Sequence, residues 1–289
     1  MFKMFLTVMM TVLMGCLATM ETHADLRHIK ESGVLKHLGI PYSNFVTGDG
    51  DGLDVEILKL YSSEIGVRYE HVLASWETVI TDLSGKKLIP HGDDVEILGE
   101  TPMKGDIIGN GLTVLPWRKK VIHFSDPYFP TAIWALARAD SDLNPIKPSG
   151  DPKKDVEATK SVLTGRQILG IRDTCLDPVL YNLQGSVSRY KEGLQLNDLP
   201  PAIIKGECEL TLQDAPDALL ALANYPGKVK VIGAITEEQF MAFGISKDSP
   251  ELLESFNMFL RKLKANGKLQ ELIIKYYPHI TNYFPNAGK

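Results

Sequence analysis

A guanidinium and a carboxylate, each placed where a strand gives way to the next element, carry the strongest chemistry in this 289-residue sequence. Residues 109–128 read G-N-G-L-T-V-L-P-W-R-K-K-V-I-H-F-S-D-P-Y. A strand predicted over 106–110 ends at Asn110. Gly111 then lets a ligand approach the backbone, Thr113 offers a hydroxyl, and Pro116 tightens the turn so that Arg118 points back toward the strand end. An arginine fork beside backbone N–H groups suits a carboxylate held by two parallel hydrogen bonds. Asp214 follows a second predicted strand (209–213) and begins a helix over 215–224, which sets its carboxylate at the mouth of a second sheet. Opposite charges at two sheet mouths fit a zwitterion with one carboxylate and one ammonium. Each residue also has a plainer reading: Arg118 as a surface ion pair, Asp214 as a helix N-cap.

The elements that must position these groups have readable ends. A helix over 53–65 carries Val55, Ile57, Leu58, Tyr61 and Ile65 on one face and stops at Gly66, the favoured left-handed cap. A strand over 67–72 follows. Ser75 then caps a helix whose inner stripe is Trp76, Val79, Ile80 and Leu83, ending at Gly85. Trp76 is either plain core or the aromatic wall of a pocket, and Tyr42 or Phe45, in the loop after the first strand, would form the other wall. Ser249-Pro250-Glu251 opens a long helix that runs to Gly267. Strand-like runs at 34–40, 106–110, 167–172, 209–213 and 228–232 alternate with the helices, the mark of α/β units with mainly parallel sheets. A Pro- and Gly-rich stretch, 141–154, divides the chain.

Residues 86–104 break that rhythm, being too long for a helix-to-strand connection. They contain His91, Asp93, Asp94 and Glu96 without any recognised metal-ligand spacing, so a solvated surface hairpin is the expectation and no metal site is. The tract Thr47-Gly48-Asp49-Gly50-Asp51-Gly52 lacks the full spacing of a calcium loop and reads as a tight turn.

Lys3 is followed by an apolar run over 5–17 and a short polar stretch ending Thr22-His23-Ala24, the pattern of a cleaved export signal over residues 1–24. Leu13-Met14-Gly15-Cys16 resembles a lipobox, which leaves a lipoprotein anchored at Cys16 as the alternative. Either route takes the chain to the periplasm. The net charge is −5, with no clustered basic stretch, which argues against nucleic-acid binding. Cys175 follows the end of one predicted strand and Cys208 precedes another. If those strands are parallel neighbours, the sulfurs lie at opposite ends of the sheet, so buried free thiols are expected over a disulfide.

The 109–128 stretch resembles the family 3 solute-binding proteins, the periplasmic amino-acid receptors of ABC importers. Their pattern is a small residue, a Ser or Thr, an Arg five residues on, then Phe-Ser-Asp-Pro-Tyr; here these are Gly111, Thr113, Arg118 and Phe124 to Tyr128. Gly52-Leu53-Asp54-Val55-Glu56-Ile57 resembles the family's early signature, although Tyr61 and Ser62 depart from it. Ser75-Trp76 takes the place of the pocket aromatic. The run Gly206 to Asp214 resembles the strand whose terminal Asp holds the ligand's ammonium, and Asn266 to Pro278 the C-terminal helix. At Gly170-Ile171-Arg172-Asp173-Thr174-Cys175 the chain departs from the family's Gly followed by paired Ser or Thr. Thr174 remains to meet the ligand carboxylate, and Arg172 either favours a second acidic group or pairs with Asp173.

The resemblance implies an α/β, two-lobed type II periplasmic-binding-protein fold with helices on both faces of mainly parallel sheets and a hinge of two crossover strands. Lobe 1 would hold 25–137 and 235–289, and lobe 2 138–234. The expected pocket comprises Tyr42, Trp76, Asn110, Gly111 and Thr113 with Arg118, Thr174 and Asp214. The implied partner is an ABC permease, or equally a sensor receptor reading the closed form, with the chain itself a monomer that needs no cofactor. An exported dehydratase on the same fold would need a placed general acid, and none stands out beyond Asp214 and Asp173. A wall-cleaving fusion would need a catalytic domain after Lys289. A binding protein and not an enzyme is the expectation.

Overall fold

The structure, a computed structural model, describes residues 25–289; the export signal, with Cys16, lies outside the described residues. α1 (Leu26–Ser32) leads through Gly33 into β1 (Val34–Gly39). α2 (Leu53–Ile65) has its predicted bounds and ends at Gly66, whose φ of 76° is the left-handed turn that glycine takes without strain. β2 (Arg68–Leu73) then lies parallel to β1. α3 covers only Val79–Ser84, so Trp76 sits in the turn before the helix and not on its stripe. β-branched residues at 78–81 weaken the first turn of that helix. Residues 86–100 form the hairpin β3 (Lys86–His91) and β4 (Asp94–Glu100), turning at Gly92 and Asp93.

β5 (Ile107–Ile108), α4 (Pro116–Val121) and β6 (Ile122–Phe124) complete the N-terminal half. The chain then crosses through β7 (Phe129–Thr131) into β8 (Ile133–Arg138). α5 (Pro152–Val162), β9 (Gln167–Leu169), β10 (Val187–Arg189), α6 (Leu199–Ile204), β11 (Leu210–Asp214), α7 (Ala215–Asn224) and β12 (Val229–Ala234) follow. It returns through β13 (Gln239–Met241) to β14 (Gly244–Ser246), then α8 (Pro250–Ala265) and α9 (Lys268–Tyr276).

Two five-stranded sheets result, ordered β2-β1-β5-β14-β6 and β10-β9-β11-β8-β12. They are joined by the antiparallel pair β7 and β13, in which Phe129 faces Met241 and Thr131 faces Gln239. This is the two-lobed fold with two crossing strands. The sheets are mixed and not mainly parallel. β14 runs antiparallel to β5 and β6, and β8 to β11 and β12. Parallel neighbours need a crossover of about a dozen residues or more, and β8 and β14 enter directly from the connecting ladder without one. β8 belongs to the second sheet, so residues 133–137 fall there and not with the first lobe.

β9 and β11 are parallel neighbours, Leu210 against Ile168. Cys208 therefore enters at one end of the sheet and Cys175 follows at the other, and both are free and buried. The Thr47 to Asp51 tract closes on itself, with Thr47 N–H donating to the Asp51 carbonyl at 3.0 Å.

Candidate functional site

Arg118 lies in α4 with 2% of its surface exposed, far from the surface ion pair of the plainer reading. The turn set by Pro116 sends its side chain back along the chain, where Nη1 donates to the Thr113 carbonyl at 3.0 Å. Among the described residues, its buried Nε has no partner. Burial pulls the guanidinium below its ordinary pKa, while Cys175 and Asp214 nearby oppose that shift. A desolvated cation with an unused donor is arranged to receive an anion.

Asp214 is fully buried as the last residue of β11. Its side chain makes no capping bond to α7. Instead, Oδ2 accepts from the Tyr42 hydroxyl at 3.2 Å and from Cys175 Sγ at 3.2 Å. Oδ1 accepts from the Thr131 hydroxyl at 3.1 Å and lies 3.5 Å from that of Thr113. Thr113 thus stands between Arg118 and Asp214, touching one through its carbonyl and the other through its hydroxyl. Tyr42 and Thr113 come from the first lobe, Cys175 and Asp214 from the second, and Thr131 from a crossing strand.

The Tyr42 hydroxyl also meets Asp217 Oδ2, one helical turn beyond Asp214. Tyrosine carries one O–H proton, which cannot serve two carboxylates at once. Burial raises both carboxyl pKa values, and for Asp217 the charge of Asp214 adds to the effect.

The other predicted positions divide. Trp76 meets Tyr42 edge-on with ring centroids 5.5 Å apart, so it reaches the cluster. The Asn110 side chain instead ties strand ends together, accepting from Ile40 N–H at 2.8 Å and donating to the Leu38 carbonyl at 3.3 Å. Gly111 adopts φ of 58°, and a Cβ there would fall 2.5 Å from the Phe45 ring. The close approach it permits is therefore that of Phe45, and its N–H donates to Asp54 Oδ2 at 2.8 Å. The Thr174 hydroxyl closes its own turn, donating to the Ile171 carbonyl at 2.8 Å.

Cys175, Thr131 and Asp217 belong to the cluster and were not predicted there. Asp217 had a legible signal, since residues three apart on a helix share a face and Asp214 precedes α7 by one position. Cys175 and Thr131 had none, because they arrive from a loop and a crossing strand distant in sequence.

Asp54 fixes the turn at Gly111. It is fully buried, and besides Gly111 N–H it accepts from the Tyr128 hydroxyl at 2.5 Å. Burial raises its pKa to about 7 against the pull of these bonds. Asp54→Ala leaves two buried donors unpartnered, and we expect a loss of about 1–3 kcal/mol, read from the midpoint of urea unfolding. A variant as stable as the parent would show that the turn does not depend on this clamp.

A cavity of about 470 Å³ lies between residues 75–77 of the first lobe and residues 170–173 and 190–195 of the second. Trp76 lines it and links it to the buried cluster through Tyr42. On the facing wall Arg172 lies 3.9 Å over the Tyr190 ring. Among the described residues, no group of three or more His, Cys, Asp or Glu comes together in a way that would hold a metal ion.

Two lobes on mixed sheets, joined by two strands and meeting around buried opposite charges, define the class of two-lobed ligand-binding proteins. Residues 101–279 match the profile of the bacterial extracellular solute-binding proteins, family 3, and the chain belongs to that family. Its fold is similar to that of a mutant ArgBP from T. maritima, with a TM-score of 0.69 and 24% identity over 87% of this chain and 98% of that one. It is also similar to an ancestral amino acid-binding protein described as a precursor of cyclohexadienyl dehydratase, with a TM-score of 0.65 and 23% identity over 87% and 98%. Among curated proteins it is 24% identical over 284 residues to the membrane-bound lytic murein transglycosylase F of Photobacterium profundum, across 96% of this chain and 50% of that protein. The chain spans about half the length of the curated relatives it matches. Among the described residues no helix is long and apolar enough to cross a membrane.

Proposed function

We propose that this chain captures an amino acid, or a similar small molecule with one carboxylate and one ammonium, between its lobes outside the cytoplasm. Arg118 takes the carboxylate, helped by Thr113, while Asn110, Gly111 and Thr174 shape the turns around it through their own hydrogen bonds within the protein. Asp214 takes the ammonium, and Trp76 and Tyr42 supply aromatic walls. One observation carries this reading: a buried cation from one lobe and a buried anion from the other share a cluster, with Arg118 Nε unpartnered. Charge-assisted hydrogen bonds contribute about 1.5–3 kcal/mol each, and micromolar binding needs about 8 kcal/mol, which two such groups and a packed ring supply.

The moving bodies are the N-terminal part with the C-terminal helices, and the middle segment from β8 to β12. Both turn about β7 and β13, and closure presents a new surface to a partner. In the periplasm that partner is an ABC permease or a sensor receptor, with the chain acting as a monomer and as a binder, not an enzyme. In a thermal-shift panel of amino acids, polyamines and small carboxylates, we expect one amino acid to raise the melting temperature with the logarithm of its concentration once that exceeds its dissociation constant. Chemical analysis of the ligand after long incubation should recover it unchanged. Turnover of the bound compound would overturn the binding-only reading.

A further inference from the structure

We infer that Asp217 recognises a second cationic group, so that the captured amino acid is one with a positively charged side chain. This rests on the reading that Arg118 and Asp214 hold the α-carboxylate and α-ammonium. Arg118 is the one buried Lys or Arg among the described residues. Across the cleft from it stand two buried acids, Asp214 at 0% and Asp217 at 6% exposure, both reached by the same Tyr42 hydroxyl. With both carboxylates ionised, closure over a neutral zwitterion leaves one in excess, whereas a ligand with one net positive charge leaves none and spares Asp217 from taking up a proton.

Asp217 Oδ1 is buried and has no partner among the described residues. A buried ionised carboxylate with an open acceptor is unfavourable by several kcal/mol unless a cation meets it. Asp177, the neighbouring buried acid, differs. Its Oδ1 accepts from the Tyr190 hydroxyl at 2.7 Å and from Val179 N–H at 3.1 Å, and its Oδ2 from Asp173 N–H at 3.4 Å, so both oxygens have donors inside the protein. Arg172 pulls the other way, toward an acidic ligand, but it is exposed and stacked on Tyr190, so its charge is not desolvated as that of Asp217 is. The plain alternative for Asp217 is a first-turn acid in α7 that merely favours the helix dipole and ties Tyr42.

Ligand affinities separate these readings. Dissociation constants for L-arginine, L-lysine, L-glutamine and L-glutamate are measured by calorimetry on the chain and on Asp217→Asn, which keeps the size and the Tyr42 contact. We expect L-arginine or L-lysine to bind at least about tenfold tighter than L-glutamine, a difference of about 1.4 kcal/mol, and the ratio to fall near one in the variant. A purely structural Asp217 would weaken all ligands together and leave the ratio unchanged, which overturns the inference. So does L-glutamine or L-glutamate binding as tightly as the basic amino acids, and in that case capture of an amino acid still stands. Failure of all four to bind overturns the inference, and the wider thermal-shift panel then decides separately whether any amino acid is captured. The preference in the parent chain is readable even if the variant does not fold.

Discussion

Arg118→Ala removes the ligand-induced rise in melting temperature while the protein still unfolds cooperatively. The guanidinium offers a carboxylate two parallel donors, and charge-assisted bonds contribute about 1.5–3 kcal/mol each, so their loss weakens binding by a factor of about 10² to 10⁴. The alanine also leaves the ligand's carboxylate buried beside Asp214 with no opposite charge. Arg118→Lys separates charge from geometry: it keeps a cation but loses the planar fork, and an intermediate loss is expected. Arg118 donates to the Thr113 carbonyl and is the buried cation beside Asp214, so the ligand-free variant also melts lower, and its ligand-induced shift is read against its own baseline. The best ligand shifting Arg118→Ala as far as the parent would end the assignment of this pocket.

Asp214→Asn should separate binding from stability in the opposite direction. Ligand affinity falls by about 10² or more, since a carboxamide cannot neutralise an ammonium. The ligand-free protein, however, should be at least as stable above neutral pH, because the parent keeps there a buried charge that the variant lacks. Burial raises the Asp214 pKa above its unfolded value. A raised carboxyl favours the folded state most below its unfolded pKa of about 3.9, and that contribution is lost as pH rises through the folded value. The ligand-free parent should therefore lose melting temperature more steeply than the variant between about pH 4 and about pH 8. His37 acts with the opposite sign: burial lowers its pKa to about 3, so its contribution is full above the unfolded value and lost as pH falls. It is present in both proteins and cancels in the difference. A variant less stable than its parent at about pH 8 would mean that the carboxylate is compensated inside the protein after all.

The helix ends and strand runs were legible because their causes are local. Gly66 and Gly85 take left-handed conformations that few other residues accept, and the apolar stripe of α2 fixed its bounds. Asp214 was legible as a strand end, and Arg118 by its turn. Trp76 was placed in a helix because its stripe spacing fits one, but the β-rich start of α3 holds the helix back to Val79.

The roles of Asn110 and Gly111 were not legible, because they depend on neighbours far along the chain: Ile40, Phe45 and Asp54. The mixed sheet order escaped for the same reason, as local pattern does not say whether a strand enters by a crossover or straight from the ladder. By itself the sequence determined the main helices, the glycines that end α2 and α3, and which charges stand at strand ends. Only the tertiary structure decided that Cys175 and Thr131 join Asp214, that Thr113 stands between acid and base, and that one tyrosine hydroxyl meets two buried carboxylates. Those outcomes depend on distances between chain-distant atoms and on exclusion of water, neither of which spacing along a chain encodes.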